Sequence, residues 1–284
     1  MIAEPSTVVQ PAPRRIFPAR GPWRSMPALA LIWVVIAGAI VLGSVLLTLN
    51  LRERDLASAT DNLATDALML SAHLENSFKI LEAVQAGILE QLHGEGISTE
   101  NQYVSVASGL PMHRTLLARV AAIPYVGGIT MIERRGILVN STYYWPMPFR
   151  DLSDREYFHT LSASELNQRY VTKPLQNRAN GQWTVYVARR VEGNNGIFLG
   201  VLLGEINFTH FQRFFAEVAP QPDAVVSMSD LQGMMLVRHP SAAGVIGTAP
   251  QTGAFQLLQN GSDHGTTRNV SPIDGMDRLV AVHR

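Results

Sequence analysis

An uncharged apolar run near the N-terminus constrains the fold more than any other feature of the sequence. No ionisable side chain occurs from Ser25 to Leu51, and the residues from Ala28 to Leu49 are mostly apolar. As a helix rising about 1.5 Å per residue, this stretch is about 33 Å long, which is enough to cross the hydrocarbon core of a bilayer. We therefore predict a transmembrane helix over residues 25–50. The alternative, a buried core helix, is disfavoured by so long a run without a charge.

A cleavable signal peptide is the other alternative for this run. A charged segment precedes it, and Ala57-Ser58-Ala59 has the small residues of a cleavage site. The apolar run is too long for a signal peptide, however, and the charged residues of 52–55 intervene before the small residues. We therefore predict an uncleaved anchor.

The flanking charges predict how the chain is oriented in the membrane. Residues 1–24 are rich in proline and arginine and are expected to form a disordered tail. Four arginines and one acid precede the span, whereas residues 52–55 carry balanced charges. Cytoplasmic segments are enriched in basic residues. The N-terminus is therefore expected in the cytoplasm of a bacterial cell, with the chain after about residue 50 outside the inner membrane.

A long helix is expected to continue from the membrane over residues 51–93, because this segment contains no proline and a single glycine before residue 93. Its apolar side chains recur with heptad spacing in two registers. One register contains Leu56, Leu63, Leu70, Ser77 and Val84, and the other contains Thr60, Ala67, Leu74, Leu81 and Ile88. Packing of this stalk on its own domain and pairing with a second copy are both open. We predict that it does both, forming a parallel homodimer.

Two tandem sheet modules are predicted after the stalk. Strand-like alternation marks residues 128–134, 137–144, 170–174, 183–192 and 197–208, and a helix is expected over 209–218. A smaller set of strands is expected at 224–229, 234–238, 264–270 and 276–284. We predict an α+β chain with a membrane-distal module at 94–220 and a membrane-proximal module at 221–284. Since the second module ends within a strand, we expect it to be truncated.

Composition excludes several classes of site. The chain has no cysteine and a formal net charge of +0, so disulfides, thiolate chemistry and a global basic surface for nucleic acid are all excluded. The eight histidines show no i,i+4 pair, and neither lysine follows a glycine. No metal, cofactor or nucleic-acid partner is therefore expected, and nothing converges with the acids of 151–156 to favour hydrolysis.

The octapeptide Asp151-Leu152-Ser153-Asp154-Arg155-Glu156-Tyr157-Phe158 concentrates charged and aromatic side chains between strands. Ser153 or Asp154 is expected to cap a helix that begins at Arg155. The Arg155 guanidinium offers paired donors for a carboxylate or phosphate, with Tyr157 and Phe158 as its apolar backing. A capped helix with solvated charges is the alternative that the octapeptide alone favours.

The order of several segments resembles a double Cache (PDC-type) extracellular sensor domain. The segments that carry the resemblance are Asp151–Phe158, Tyr170–Pro174, Asn180–Val185, Ala188–Arg190 and Gly200–Ile206. Together they extend the resemblance over about residues 51–284. The resemblance implies two PAS-like modules, a small ligand in the membrane-distal module, and signalling to a cytoplasmic kinase, diguanylate cyclase or chemotaxis module.

The resemblance also assigns roles to individual residues. The segment that begins at Arg155 is similar to the one with which amino-acid-sensing relatives hold the ligand carboxylate, and Glu205 falls where they keep an acid for the ammonium group. Lys173 stands near the place of a second acid. A cation there favours an organic anion over an amino acid, unless Lys173 points into solvent.

We therefore predict a membrane-anchored extracytoplasmic sensor that is not itself an enzyme and binds a small organic anion. Arg155 would hold the ligand acid, Tyr157 and Tyr144 would shape the pocket, and Glu205 or Arg189 would set selectivity. The remaining candidates for the pocket are Asp154, Lys173, Trp183 and Tyr186, and alternation along the strand places Trp183 and Tyr186 on opposite sides. A ligand-free structural or dimerisation module is the main alternative, and a hydrolase is a distant third.

Overall fold

The computed structural model describes residues 26–164, 169–178 and 181–284. The predicted tail at 1–24 and residue Asn180 lie outside these ranges. The chain divides into two compact units, Met1–Ala59 and Thr60–Arg284.

Helix α1 (Met26–Gly94) is the first element of the chain. Within the first unit its side chains from Ala30 to Ala59 are exposed. In the described part of the chain, this is the one helix long and apolar enough to cross a membrane, with a mean hydropathy of 2.7 over its most apolar window. The helix ends at the predicted place, where Gly96 takes a φ of 71° and its N–H donates to the His93 carbonyl. The predicted span and stalk are thus segments of one helix.

Two short helices follow, α2 (Glu100–Ala107) and α3 (Leu110–Val120). Thr99 and Gln102 form a reciprocal capping box at the start of α2, which satisfies amide groups that the helix leaves unpaired. Pro111 lies in the first turn of α3, where its missing N–H has no helical partner to lose.

An antiparallel sheet of five strands forms the centre of the second unit, in the order β2-β1-β7-β6-β3. Its strands are β1 (Val126–Glu133), β2 (Leu138–Ser141), β3 (Arg169–Val171), β6 (Tyr186–Glu192) and β7 (Phe198–Ile206). The predicted strand at 183–192 is divided, because β5 (Trp183–Thr184) pairs instead with β4 (Leu175–Gln176). Helix α4 (Glu156–Ala163) precedes β3, and helix α5 (Phe208–Val218) follows β7.

Alternation along the central strands directs side chains to two separate cores. Val187 and Leu202 join Leu81 and Ile88 of α1 in one cluster. Tyr186, Ala188, Val201 and Leu203 project to the opposite face, where they meet buried side chains of α4. The stalk helix therefore covers one face of the sheet, and the other face is left for α4 and a cavity.

The stripe of heptad residues on α1 packs largely on its own unit. Leu81 and Ile88 are fully buried, and Leu70 and Leu74 are partly buried against the same core. Leu56, Leu68 and Met69 are exposed. Intramolecular packing of the stalk is therefore confirmed, whereas the homodimer stays a prediction.

The last part of the chain contains two separate two-stranded ladders, formed by β8 (Val226–Ser229) with β9 (Met235–His239) and by β10 (His264–Val270) with β11 (Asp277–His283). Helix α6 (Gly253–Gln259), which the sequence did not predict, lies before β10. Leu236 and Val237 of β9 belong to the same core as α1. The α+β fold class is confirmed, while the module boundary at 220/221 stays a prediction because Thr60–Arg284 forms one compact unit.

Candidate functional site

A cavity of about 60 Å³, here called the distal pocket, lies on the face of the sheet opposite α1. Strands β1, β2, β6 and β7, the loop after β2, the segment before α4 and the loop after β4 all contribute to it. The lining residues are Thr130, Leu138, Ser141, Tyr143, Tyr144, Met147, Arg150, Leu152, Arg155, Tyr157, Asn177, Arg178, Tyr186 and Leu203. Arg155, Tyr157, Tyr144 and Tyr186 were predicted from the sequence.

The start of α4 differs from the prediction. The helix begins at Glu156, and Arg155 occupies the N-cap position without a side-chain capping bond. The backbone N–H of Ser153 donates to Asp151 Oδ1 at 2.8 Å, so the residues before the helix form an Asx turn instead of a Ser153 or Asp154 cap. Because Arg155 precedes the helix in an extended conformation, its guanidinium lines the pocket.

Three arginines give the distal pocket its electrostatic character. Arg178 forms a paired contact with Asp154, at 3.0 Å from Nη1 to Oδ1 and 2.5 Å from Nη2 to Oδ2. Arg150 donates to the Arg178 carbonyl at 2.8 Å. Arg155 has no side-chain hydrogen bond or ion pair with another residue of the described ranges. Its donors are therefore available to a ligand.

Asp154 lies beside the pocket and holds Arg178 in position. Its hydrogen bond with Arg178 lowers the pKa of its carboxyl, so the side chain is ionised at neutral pH. The pair is largely exposed and is expected to contribute little to stability. Its effect is to orient Arg178, a residue that no sequence pattern identified.

The tyrosines supply neutral donors to the pocket. Tyr157 and Tyr186 are 3 % and 9 % exposed, and their ring centroids lie 6.4 Å apart. Burial raises the pKa of both hydroxyls. Both therefore keep their protons at neutral pH. Tyr157 can donate to an anion, whereas the Tyr186 hydroxyl also hydrogen-bonds Glu205.

Glu205 does not line the distal pocket. The residue is 6 % exposed, and Oε2 accepts hydrogen bonds from the Tyr143 hydroxyl at 2.7 Å and from the Asn177 amide at 3.0 Å. Burial raises the pKa of the Glu205 carboxyl, and hydrogen bonds from Tyr143, Asn177, Thr184 and Tyr186 oppose that shift. Tyr143 and Asn177 were not identified from the sequence, because each reaches Glu205 from a loop.

A second cavity of about 430 Å³, here called the cleft, extends from Glu205 towards β9. Trp183, Phe208 and Arg238 are among its lining residues. The Trp183 indole packs on Gly247, where an added Cβ would lie 2.5 Å from Trp183 Cζ2. Trp183 and Tyr186 thus line different cavities, as their alternation along the strand predicts.

Two further candidates lie away from both cavities. Arg189 is directed to α1, where its Nη1 donates to the Glu82 carbonyl at 3.3 Å. Lys173 is exposed and does not line the distal pocket, so the alternative that it points into solvent is the one the structure shows. The additional cations of the pocket are Arg150 and Arg178. Among the residues described, no cluster of His, Asp or Glu side chains fits a metal ion.

Solved structures with the same fold come from bacterial sensory proteins. The extracellular domain of rpHK1S-Z16, assigned as a histidine kinase, has 24 % identity and a TM-score of 0.69, covering 81 % of this chain and 90 % of its own. The periplasmic sensory domain of the Campylobacter jejuni chemoreceptor Tlp1 has 11 % identity and a TM-score of 0.59, with coverages of 80 % and 90 %.

The ligand-binding domain of the Pseudomonas aeruginosa PAO1 amino-acid chemoreceptor PctC, solved in complex with GABA, has 16 % identity and a TM-score of 0.54, covering 78 % of this chain and 90 % of its own. No protein-family model and no curated protein matches the sequence. The likeness confirms, at the level of the fold, the resemblance to Cache-type extracellular sensory domains.

Proposed function

We propose that this chain is the membrane-anchored input region of a bacterial sensor, and that its distal pocket binds a small organic anion. The observation that carries the proposal is the Arg155 guanidinium, which lines the pocket while Arg150 and Arg178 are held by hydrogen bonds nearby. No acidic side chain is among the described residues that line this pocket. A guanidinium and neutral hydroxyl donors together suit a carboxylate.

The fold and the apolar helix support the cellular setting of the proposal. Similar folds occur in extracellular sensory domains, and residues 25–50 have the length and composition of a membrane span. In the proposed arrangement the N-terminus is cytoplasmic and the sheet is extracytoplasmic. The stalk forms a homodimer through exposed positions such as Leu56, Leu68 and Met69, and occupancy of the pocket is passed to an output domain.

Ligand-dependent stabilisation of the full chain in lipid nanodiscs tests the proposal. We expect short organic acids to raise the melting temperature, since a ligand that binds the folded state stabilises it. Arg155→Ala is expected to weaken that binding roughly 10- to 100-fold, because a charge-assisted hydrogen bond contributes about 1.5–3 kcal/mol. Arg134→Ala removes the same charge from an exposed turn and serves as the control. Full binding by the Arg155→Ala variant would refute the role of this arginine.

A ligand-free structural module is the second candidate function. The distal pocket measures about 60 Å³, well below the several hundred Å³ that are usual for ligand pockets. This alternative predicts that no organic acid or amino acid changes the melting temperature of the chain.

A further inference from the structure

The donors around Glu205 bear on which class of organic acid the distal pocket accepts. Tyr143 and Asn177 both line the pocket, and both donate to the same oxygen of Glu205. Glu205 itself lines the cleft and not the distal pocket, whereas Tyr143 lines both. Two donors therefore stand between the buried carboxylate and the distal pocket.

Two glycines of β1 make this arrangement possible. An added Cβ on Gly127 would lie 3.1 Å from Glu205 Cγ and 3.4 Å from the Tyr143 hydroxyl, and one on Gly128 would lie 2.8 Å from Tyr143 Cε2. The register of β1 with β7 also shifts between Val126 and Gly128. The strand thus leaves room for the Tyr143 ring to pass over it and reach Glu205.

The consequence for a ligand follows from its charges. An amino acid in the distal pocket would place its ammonium among Arg150, Arg155 and Arg178, with no lining carboxylate to accept its protons. The positive charges of the ammonium and the guanidinium groups repel each other. A buried ammonium without a partner also loses its hydration without compensation. A carboxylate of the same carbon skeleton that lacks the ammonium avoids both costs.

We infer that Tyr143 and Asn177 are specificity-determining residues: by occupying Glu205 they restrict the distal pocket to short carboxylates that carry no ammonium group. This inference rests on the proposed function, because it requires that the distal pocket binds a carboxylate. At about 60 Å³, where one water needs at least about 10–15 Å³, the pocket in this conformation holds a ligand of only a few heavy atoms.

Three pairs of compounds, acetate and glycine, propionate and alanine, and succinate and aspartate, test the inference, since the members of each pair differ by one ammonium group. Binding is measured by calorimetry on the full chain in nanodiscs. We expect the wild type to bind at least one of the carboxylates and to bind its amino acid at least tenfold more weakly. The double variant Tyr143→Phe with Asn177→Ala removes the two donors on the side of the distal pocket and leaves Thr184 and Tyr186 as partners of Glu205. It is expected to bind that amino acid at least tenfold more tightly than the wild type.

Two further variants show whether the gain comes from Glu205. Adding Glu205→Gln to the double variant is expected to abolish the gain. Tyr125→Phe, which removes a hydroxyl that lines neither the distal pocket nor the cleft, is expected to leave the preference unchanged. Retained melting behaviour shows that each variant is folded. Should the double variant misfold, Asn177→Ala alone is expected to show a smaller gain in the same direction.

The outcomes separate this inference from the proposed function. If the wild type binds the amino acid as tightly as its carboxylate, or if the folded variants bind carboxylates without gaining affinity for amino acids, the inference is overturned and the proposed function stands. If the wild type binds none of the six compounds or other organic acids, the proposed function fails and the inference fails with it.

Discussion

At the scale of single residues, Arg238 is a buried cation in the last part of the chain, and its ion pair with Asp274 is expected to matter for stability. It is 5 % exposed, and its Nη2 donates to Asp274 Oδ2 at 2.7 Å. Asp274 also accepts a hydrogen bond from Arg278. Burial alone would raise the pKa of Asp274, but its hydrogen bonds with Arg278, Ser271 and the Met276 backbone lower that pKa to about 2. The carboxylate is therefore ionised at neutral pH and balances a buried charge.

Asp274→Asn is expected to lower the free energy of unfolding at pH 7 by about 3 kcal/mol, because removing one partner leaves a buried charge uncompensated. Urea unfolding of the full chain in detergent measures the change. Asp277→Asn is the matched control. Its pair with Arg268 is about half exposed on both sides and is expected to contribute under about 1 kcal/mol.

The effect of Asp274 should also depend on pH. Its folded-state pKa, about 2, lies below the ordinary value of 3.8, so its contribution is present above pH 3.8 and is lost as the pH falls towards 2. The difference between wild type and Asp274→Asn should therefore shrink over that interval. Equal effects of the two variants at pH 7 would contradict the assigned role of Asp274.

Residue patterns in the sequence located one wall of the distal pocket and missed another. Arg155 and Tyr157 stand in a dense polar octapeptide, which drew attention to them. Asn177 and Arg178 follow a two-residue strand, and nothing in their own neighbourhood distinguishes them from a surface loop. Their place at the pocket depends on the short hairpin of β4 with β5, whose two-residue strands are too short for alternation to show.

At the scale of elements, the contact between α1 and β7 depends on a glycine. An added Cβ at Gly204 would lie 2.5 Å from Leu81 Cδ1 and 3.0 Å from its Cγ. Leu81 is fully buried. The stalk helix therefore approaches the sheet as closely as it does because β7 has no side chain at this position.

Gly204→Ala is expected to destabilise the chain by about 1–3 kcal/mol through overpacking, and Leu81→Ala by about 2–5 kcal/mol through the cavity it leaves. The double variant should be destabilised by less than the sum of the two single effects, because the new methyl group enters space that Leu81 vacates. Unfolding free energies of the four proteins give the coupling. Phe255→Ala, at a buried residue of α6, is the control, and its destabilisation should simply add to that of Gly204→Ala. If the destabilisations of Gly204→Ala and Leu81→Ala were also strictly additive, the proposed contact would be contradicted.

Most long elements could be predicted from periodicity, because their buried faces repeat over many residues. The central strands and α1 are examples, and β10 was located at His264–Val270. Helix α6 was missed because a helix of seven residues spans too few turns for a period of 3.6 to show. The division at Val185 was missed for another reason. Alternation continues through Thr184 and Tyr186 although the two residues pair with different strands.

At the scale of the whole molecule, the heptad pattern of α1 had two possible explanations that the sequence could not separate. Apolar residues at this spacing suit both a coiled coil and a helix packed on a sheet. The structure accounts for Leu70 to Ile88 by packing within the chain. Packing within the chain does not account for the exposed apolar positions between Leu51 and Met69, and the proposed homodimer would use them.

The absence of cysteine makes the proposed membrane topology directly testable with single introduced thiols. We expect Asn101→Cys, at an exposed position of α2, to react with a membrane-impermeant maleimide on cells whose outer membrane has been permeabilised. Gln10→Cys, before the apolar helix, should react only after the inner membrane is also opened, since the arginines of residues 14–24 favour the cytoplasm. The cysteine-free wild type gives the background. Labelling of Gln10→Cys with protection of Asn101→Cys would reverse the topology, and would place the distal pocket where it could sample only cytoplasmic metabolites.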